Sequence, residues 1–512
     1  MDLGEFLYNL HFHTEKTAPD GWEPDWEDAP LPYKLYRGLP AIPLSNEVPL
    51  TLAKWKEPAV PSLTRIGHFL WYTYGLTQIT QSGSAEETVQ SLRRFVPSGG
   101  GLYPNELYLY LNVDEAPSGM YHYDAARHQL VLLREGNWET YLSEALGERC
   151  DISSCFGAVL ISAKFWKNFF KYNQFSYRLQ GLDAGVLAGQ LQEAAKRFGF
   201  SCGVYVQFLD RALNHILGLN DKEESVYAVI PLSVEPMRWF AGTDRGLVSA
   251  EELCRSIPPI ITESYERSKR ILDYSLLCEI NEASFMESAK EFRKIGSWKK
   301  PVRDGQETNL GGSRFLYDLA SSCRSRFSPD MDFMIGDIHA ETAGDLLREA
   351  VSASVCRNDL DGAEINRSRL SVYACFYHVE GIEDGAYLYE EGTLKCIRPG
   401  DHRLYLQDGL TLHNVNLYTT PIVLHVAGDR GHLMDQLSWR GYRVQQMEAG
   451  MLVQRLLLAA SALGLGGHPL LGYDVSRCDR LYKLEETGET CLIQIPIGGY
   501  RERAWLKGGL HG

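Results

Sequence analysis

"YRLQGLDAGVLAGQLQEAAKRFGF", Tyr177–Phe200, returns further along the chain as "YRVQQMEAGMLVQRLLLAASALGL", Tyr442–Leu465. The offset is 265 residues without a gap, and ten of the 24 positions are identical, among them Tyr177/Tyr442, Arg178/Arg443, Gly185/Gly450 and Gly199/Gly464. Shared helix composition does not align that many residues, so duplication is the reading, and it decides the fold. In the second copy Leu456–Leu463 is almost wholly apolar. A helix apolar on every side is a buried helix. Two buried helices in duplicated halves are expected to pack on each other across an internal pseudo-twofold axis.

Other pieces keep the same order. "SGMYHYDAARHQLVLL" from Ser118 matches "DGAYLYEEGTLKCI" from Asp384, each a turn glycine, a strand, a turn and a second strand. After each shared helix the chain passes Leu209-Asp210 or Tyr473-Asp474 and closes on an apolar strand, "VYAVIPL" or "TCLIQIPIGGY". Each half therefore mixes helices with strands, an α+β chain. Between them, from about Glu235 to Leu310, charge and helix formers prevail, and "KKPVRDGQETNLGG" is the loosest part.

At 512 residues more than one core is expected. The chain is 44% hydrophobic and 23% charged, as in a globular protein, with 66 acidic against 51 basic residues and a net charge of −15. Such a surface repels phosphate backbones and anionic lipid, which argues against nucleic acid or membrane as the main partner. The richest apolar run, Met451–Leu465, is broken by Gln454 and Arg455. "MDLGEFLYNLHFHTEK" has acids where a secretory signal has lysines, so a cytoplasmic setting is expected. Eleven cysteines without a C-x-x-C pair give neither a zinc knuckle nor a disulfide framework. His11 and His13 lack partners at helical spacing, so no metal site is expected there and the amino-terminal segment reads as solvated.

"RRFVPSGGGLYPNELYLYL", Arg93–Leu111, puts three glycines at the mouth of a strand. Glycine lets backbone approach a flat ring without a Cβ clash, although a ligand-free hairpin entry has the same look. With Lys171-Tyr172, the Tyr-Arg helix, "YKLYRGLPAIPLSNEVPLTL" and the closing "IGGYR", this stretch resembles the nitroreductase-fold flavoproteins. More narrowly it is similar to the SagB-type peptide dehydrogenases, also called McbC-like azoline oxidases. The resemblance covers most of Tyr33–Leu232 and, more weakly, Leu316–Arg503. It implies an amino-terminal lead-in at 1–50, nitroreductase-like domains at 51–240 and 311–512 forming an intrachain pseudo-dimer, and a helical linker at 241–310.

In that fold two subunits build each flavin site. Here the implied parts divide between the halves. Half one supplies Arg94, Pro97, Ser98, Gly99 and Gly100 for FMN, and Lys171 and Tyr172 for chemistry. Half two supplies Arg324, Ser325 and Arg326 of "SCRSRF", Gly466, Gly467, Leu471 and Gly472 of "GLGGHPLLGYD", and Arg501 and Arg503 of "IGGYRER". Opposite Lys171 and Tyr172, 265 residues on, stand Gln436 and Leu437. One complete site and one degenerate pseudo-site per chain are therefore expected. Arginines suit a phosphate in type and number, though surface arginines look alike in sequence.

The resemblance implies oxidation of thiazoline or oxazoline rings in a ribosomally made precursor peptide, within or beside a cyclodehydratase complex, with a further homo-oligomer open. A lysine in a dry cleft leans to its neutral form and can take a proton. Alternatively Lys171 snorkels from an aromatic helix entry. The dense aromatics from Phe165 to Tyr177 serve either a flavin wall or packing between halves. Two other functions compete: an NAD(P)H-dependent nitro or quinone reductase, and a flavin-less scaffold. Neither half shows a dinucleotide G-x-G-x-x-G after a strand.

Overall fold

The computed structural model describes all residues except 56, 60, 84–87, 241–247, 296–302, 304, 353–357, 362–367, 503–505 and 510–512. Two seven-stranded sheets carry the same strand permutation. The first runs Ala41–Pro43, Gln129–Glu135, Ala116–Asp124, Asn105–Val113, Gly157–Lys164, Glu224–Ser233, Ser201–Cys202. The second runs Glu307–Asn309, Thr393–Pro399, Gly385–Glu390, Ser371–Phe376, Ile422–Asp429, Glu489–Gly498, Gly466–Gly467. Neighbouring strands are antiparallel throughout both sheets.

The duplication extends beyond the helix. Gly157–Lys164, Ser201–Cys202 and Glu224–Ser233 recur 265 residues later as Ile422–Asp429, Gly466–Gly467 and Glu489–Gly498. Even buried polar contacts recur. Glu224 accepts from Tyr108 Oη at 2.8 Å, and Glu489, 265 positions on, accepts from Tyr373 Oη at 2.6 Å. A buried carboxylate needs such donors, so the pair is retained with the strands that carry it.

The shared helices span Ser176–Phe198 and Arg440–Ala462 and are buried nearly throughout. They pack on each other as the repeat predicts. Tyr177 and Tyr442 stack with ring centroids 6.1 Å apart and planes 15° apart. Gln454 Nε2 donates to Gln190 Oε1 at 2.7 Å. The crossing is so close that a Cβ on Gly185 would lie 2.0 Å from the Met447 carbonyl oxygen, and one on Gly450 2.2 Å from that of Leu182. The identical glycines of the repeat are the crossing point.

One expectation fails at the amino terminus. Leu3–Phe12 is a helix capped by Asp2, whose side chain accepts the Glu5 N–H at 2.8 Å. Phe6, Leu7, Leu10 and His11 share one stripe and are buried, so the segment docks on the core rather than lying in solvent. His11 Nε2 lies 3.0 Å from Thr490 Oγ1, and its ring meets that of His432 at 4.7 Å. Burial, with Arg178 nearby, holds its pKa well below the ordinary histidine value. Of the two histidines, His13 is the more open, beside Glu15 at 3.1 Å.

The carboxyl end crosses back to half one. Leu506–Gly509 pairs with Gln78–Gly83 of a hairpin completed by Thr88–Arg93. That hairpin leads straight into the three glycines. No helix among the described residues is long and apolar enough to cross a membrane.

Candidate functional site

A cavity of about 940 Å³ lies at the seam of the two halves. Its floor is one face of the first shared helix, with Leu179, Asp183 and Val186, and the second shared helix adds Val453. Half one contributes the glycine loop and Lys171-Tyr172, and half two contributes Arg324–Ser328 and His468–Gly472.

The loop's sequence explains its shape. Gly99–Gly101 form a tight turn in which Gly100 and Gly101 take φ of 63° and 69°, a backbone conformation that glycine enters without strain. A Cβ on Gly100 would sit 2.6 Å from Tyr172 Oη and 2.7 Å from Lys171 Nζ. The bare backbone therefore makes room for those two side chains. Ser98 anchors the turn: its Oγ accepts the Tyr103 N–H at 2.9 Å and donates to Asp183 Oδ2 at 2.6 Å.

Lys171 and Tyr172 end the helix Trp166–Tyr172, which stops at Asn173 in a left-handed φ of 48°. The amino-terminal segment holds this end in place. Trp22 Nε1 donates to the Lys171 carbonyl at 2.8 Å, and Lys171 Nζ lies 5.3 Å from the centre of the Trp26 ring. Burial lowers the Lys171 pKa and raises that of Tyr172. The amine thus leans towards the free base and the phenol stays protonated.

Arg324 and Arg326 line the opposite side and reach across the seam: Arg324 Nη2 donates to the Leu50 carbonyl at 2.7 Å, and Arg326 Nε to the Phe95 carbonyl at 2.8 Å. Ser325 also lines the cavity, but its hydroxyl is engaged with Ser461 Oγ at 2.9 Å. Pro97, Leu471 and Gly472 are on the wall. Arg94 touches the wall, yet its guanidinium donates to the carbonyls of Tyr74 and Pro32 and stacks 3.9 Å from the Tyr74 ring centre.

Three residues expected at the site are not on the cavity wall. Gly466 and Gly467 form the short edge strand behind it, where a Cβ would meet Pro329 at 2.5 Å and Leu457 at 2.6 Å. Arg501 is exposed, 3.5 Å from Asp332. Arg503 lies outside the described residues.

Sequence reading missed Asp183, Trp22, Trp26 and the His468–Asp330 pair at 3.1 Å. Only Asp183 left a signal, an acid inside a buried repeat helix, with Glu448 at the matching position. Burial raises the Asp183 carboxyl to about 7, opposed by its hydrogen bonds from Ser98 and the Gly99 N–H.

The Nitroreductase family profile matches residues 65–232 and 376–500, one segment on each sheet and together more than half of the chain. The chain belongs to the Nitroreductase family, a family of oxidoreductases. A crystal structure of an Anabaena variabilis protein described as a nitroreductase superposes with a TM-score of 0.75 at 22% identity. It covers 97% of this chain and 99% of its own, so the two-half fold is common to both. The trifolitoxin-processing protein TfxB of Rhizobium leguminosarum bv. trifolii is 26% identical over 196 residues, 36% of this chain and 52% of that protein. A Methanocaldococcus jannaschii protein described as a nitroreductase is 27% identical over 130 residues, 25% of this chain and 64% of that one. The chain thus spans between half and two-thirds of the length of these two relatives.

Proposed function

We propose that this chain is an FMN-dependent dehydrogenase that oxidises thiazoline or oxazoline rings of a ribosomally made precursor peptide to the aromatic azoles. The observation that carries the reading is the meeting of Lys171 Nζ and Tyr172 Oη over Gly100, within one cavity walled by both halves. The processing role in the name of the Rhizobium relative supports a peptide substrate, and a cyclodehydratase that forms the azoline is the natural neighbour in such a pathway. Domains at 51–240 and 311–512, with a lead-in at 1–50 and a linker at 241–310, are the division we adopt.

The residues present fit FMN. The Gly99–Gly101 backbone, Lys171 and Tyr172 line one wall, the cavity is within the size range of cofactor sites, and two arginines of half two offer cations for a phosphate. Ser98, Gly99 and Gly100 would face the ring system, with Arg324 and Arg326 on the phosphate side. Ser325, Leu471 and Gly472 shape that side, and Gly466 and Gly467 brace it from behind. Arg94 would hold the loop by its carbonyl bonds, and Arg501 would add charge beside the wall residues Tyr500 and Glu502. When bound, FMN supplies the acceptor for the hydride leaving the ring carbon.

The protein handles the proton. Oxidising an azoline removes one hydride and one proton from adjacent carbons, and Lys171, whose pKa burial lowers, accepts the proton at Nζ. Tyr172 keeps its hydroxyl hydrogen and orients the ring or passes the proton on. Trp22 fixes the Lys171 carbonyl, and the Trp26 ring lies beside the amine.

Flavin-loaded protein given an azoline-bearing peptide under air should yield a product lighter by two hydrogens per ring, by mass spectrometry. Rapid NADH oxidation with a nitroaromatic, without any change in the peptide, would replace this reading with a reductase.

A further inference from the structure

Asp183 sits on the cavity floor with no ion pair among the described residues, and its Oδ2 accepts the Ser98 hydroxyl with an O···O distance of 2.6 Å. Its repeat counterpart, Glu448, is different. Glu448 is ion-paired with Arg369 and accepts from Asn358 Nδ2 at 2.8 Å, while Arg369 also binds Asp361 at 2.6 Å. The half without Lys171 and Tyr172 has neutralised its carboxylate, and the half with them has not.

The hydrogen-bond count around Ser98 gives this difference a consequence. Ser98 Oγ already accepts the Tyr103 N–H at 2.9 Å and gives its hydrogen to Asp183. With Asp183 ionised, the hydroxyl can offer a ligand only a lone pair. With Asp183 protonated, the carboxyl can accept the Gly99 N–H on one oxygen and donate to Ser98 from the other. The Ser98 hydrogen is then free to turn into the cavity.

We infer that Asp183 is a proton-dependent positioning residue that sets whether Ser98 presents a hydrogen or a lone pair to the cofactor. This rests on the FMN reading above. A flavin edge rich in carbonyl and imine acceptors favours the donor state, so FMN binds more tightly when Asp183 carries its proton. The raised pKa of about 7 places the switch within an ordinary pH range.

The groups around Asp183 do not take over that titration. Tyr172, from the helix before the shared helix, and Tyr74, from Leu63–Tyr74, are both pushed up by burial and stay neutral. Lys171 stands on the far side of Gly100, with its pKa lowered by burial, and makes no hydrogen bond or ion pair with Asp183. Arg94 is held by the Tyr74 and Pro32 carbonyls, and Arg326 by that of Phe95. Arg324 is bound to Leu50, and Arg93 lies over Gly101.

The test is FMN titration of flavin-stripped full chain, followed by fluorescence, between about pH 5.5 and 8.5. The FMN phosphate titrates in the same range, so each variant is read as a ratio to wild type at the same pH, which cancels it. Asp183→Asn can donate to Ser98 permanently. It should match wild type at the acid end and bind about 10-fold more tightly at the alkaline end, the worth of one hydrogen bond. Ser98→Ala should be weaker at the acid end, with the deficit shrinking as pH rises. A constant ratio for either variant would overturn the inference.

A second readout needs no flavin. The infrared carboxyl band of Asp183, assigned against Asp183→Asn, should titrate at higher pH in Ser98→Ala, because the serine bond favours the ionised form. An unshifted band would sever the Asp183–Ser98 link even if FMN binds as proposed. Failure of wild type to bind FMN at any pH, with the band shifted, would instead strike the cofactor reading alone.

Discussion

Lys171→Ala is expected to lower azoline oxidation at least about 10²-fold while flavin occupancy stays at the wild-type level. Lys171 Nζ is brought to Gly100 by a helix end that Trp22 ties down, and burial favours its neutral form. Removing it deletes the proton acceptor but leaves the arginines and the glycine loop untouched. Tyr172→Phe keeps the ring that packs under Gly100 and removes only the hydroxyl. A comparable loss there would put the phenol in the proton path, and a small one would make it an orienting group. The measurements are bound-flavin absorbance and turnover on the same preparation. A colourless Lys171→Ala would make the lysine a flavin ligand, and a yellow, fully active one would make it a surface lysine with a buried stem.

Gly450→Ala is expected to destabilise the chain by roughly 3–5 kcal/mol or to prevent folding. A Cβ there lies 2.2 Å from Leu182 O, 2.7 Å from Val186 N and 2.9 Å from Gly185 Cα, all backbone, so no side-chain rotation relieves it. The two shared helices would have to separate, and with them the floor of the cavity. Gly181→Ala is the control on the same interface. Its Cβ would lie 3.1 Å from Gln446 Cβ and 3.4 Å from the Arg443 carbonyl oxygen, contacts that a shift of a few tenths of an ångström relieves, and the cost should stay below about 1 kcal/mol. Denaturant midpoints of both variants, with bound flavin recorded, separate helix propensity from the crossing.

Much of this fold is legible because the duplication leaves repeated residues. Gly185 and Gly450 are identical in the repeat, and they are where the helices approach most closely, backbone to backbone. The hairpins announced themselves by a turn glycine followed by strand, turn and strand, and the glycine loop by bare backbone before a strand. The amino-terminal helix was misread because its stripe of Phe6, Leu7, Leu10 and His11 has meaning only against the core it covers. Within a 16-residue polar-looking stretch, sequence alone does not show that core. Arg94 and Arg501 fit a phosphate-binding pattern by type, but carbonyls hold the first and Asp332 lies beside the second. Long-range partners of that kind leave no local trace. Asp183 was visible as an acid in a buried helix, yet its partner Ser98 is 85 residues away.

The most direct test of one composite site per chain is flavin stoichiometry. Extracted FMN measured against polypeptide in fully reconstituted protein should give close to one equivalent. The cavity joins the loop and Lys171-Tyr172 of one half to Arg324 and Arg326 of the other, whereas the matching positions hold Gln436, Leu437 and an ion-paired Glu448. Two equivalents would show that the second half keeps a working site and would contradict the division of labour between the halves.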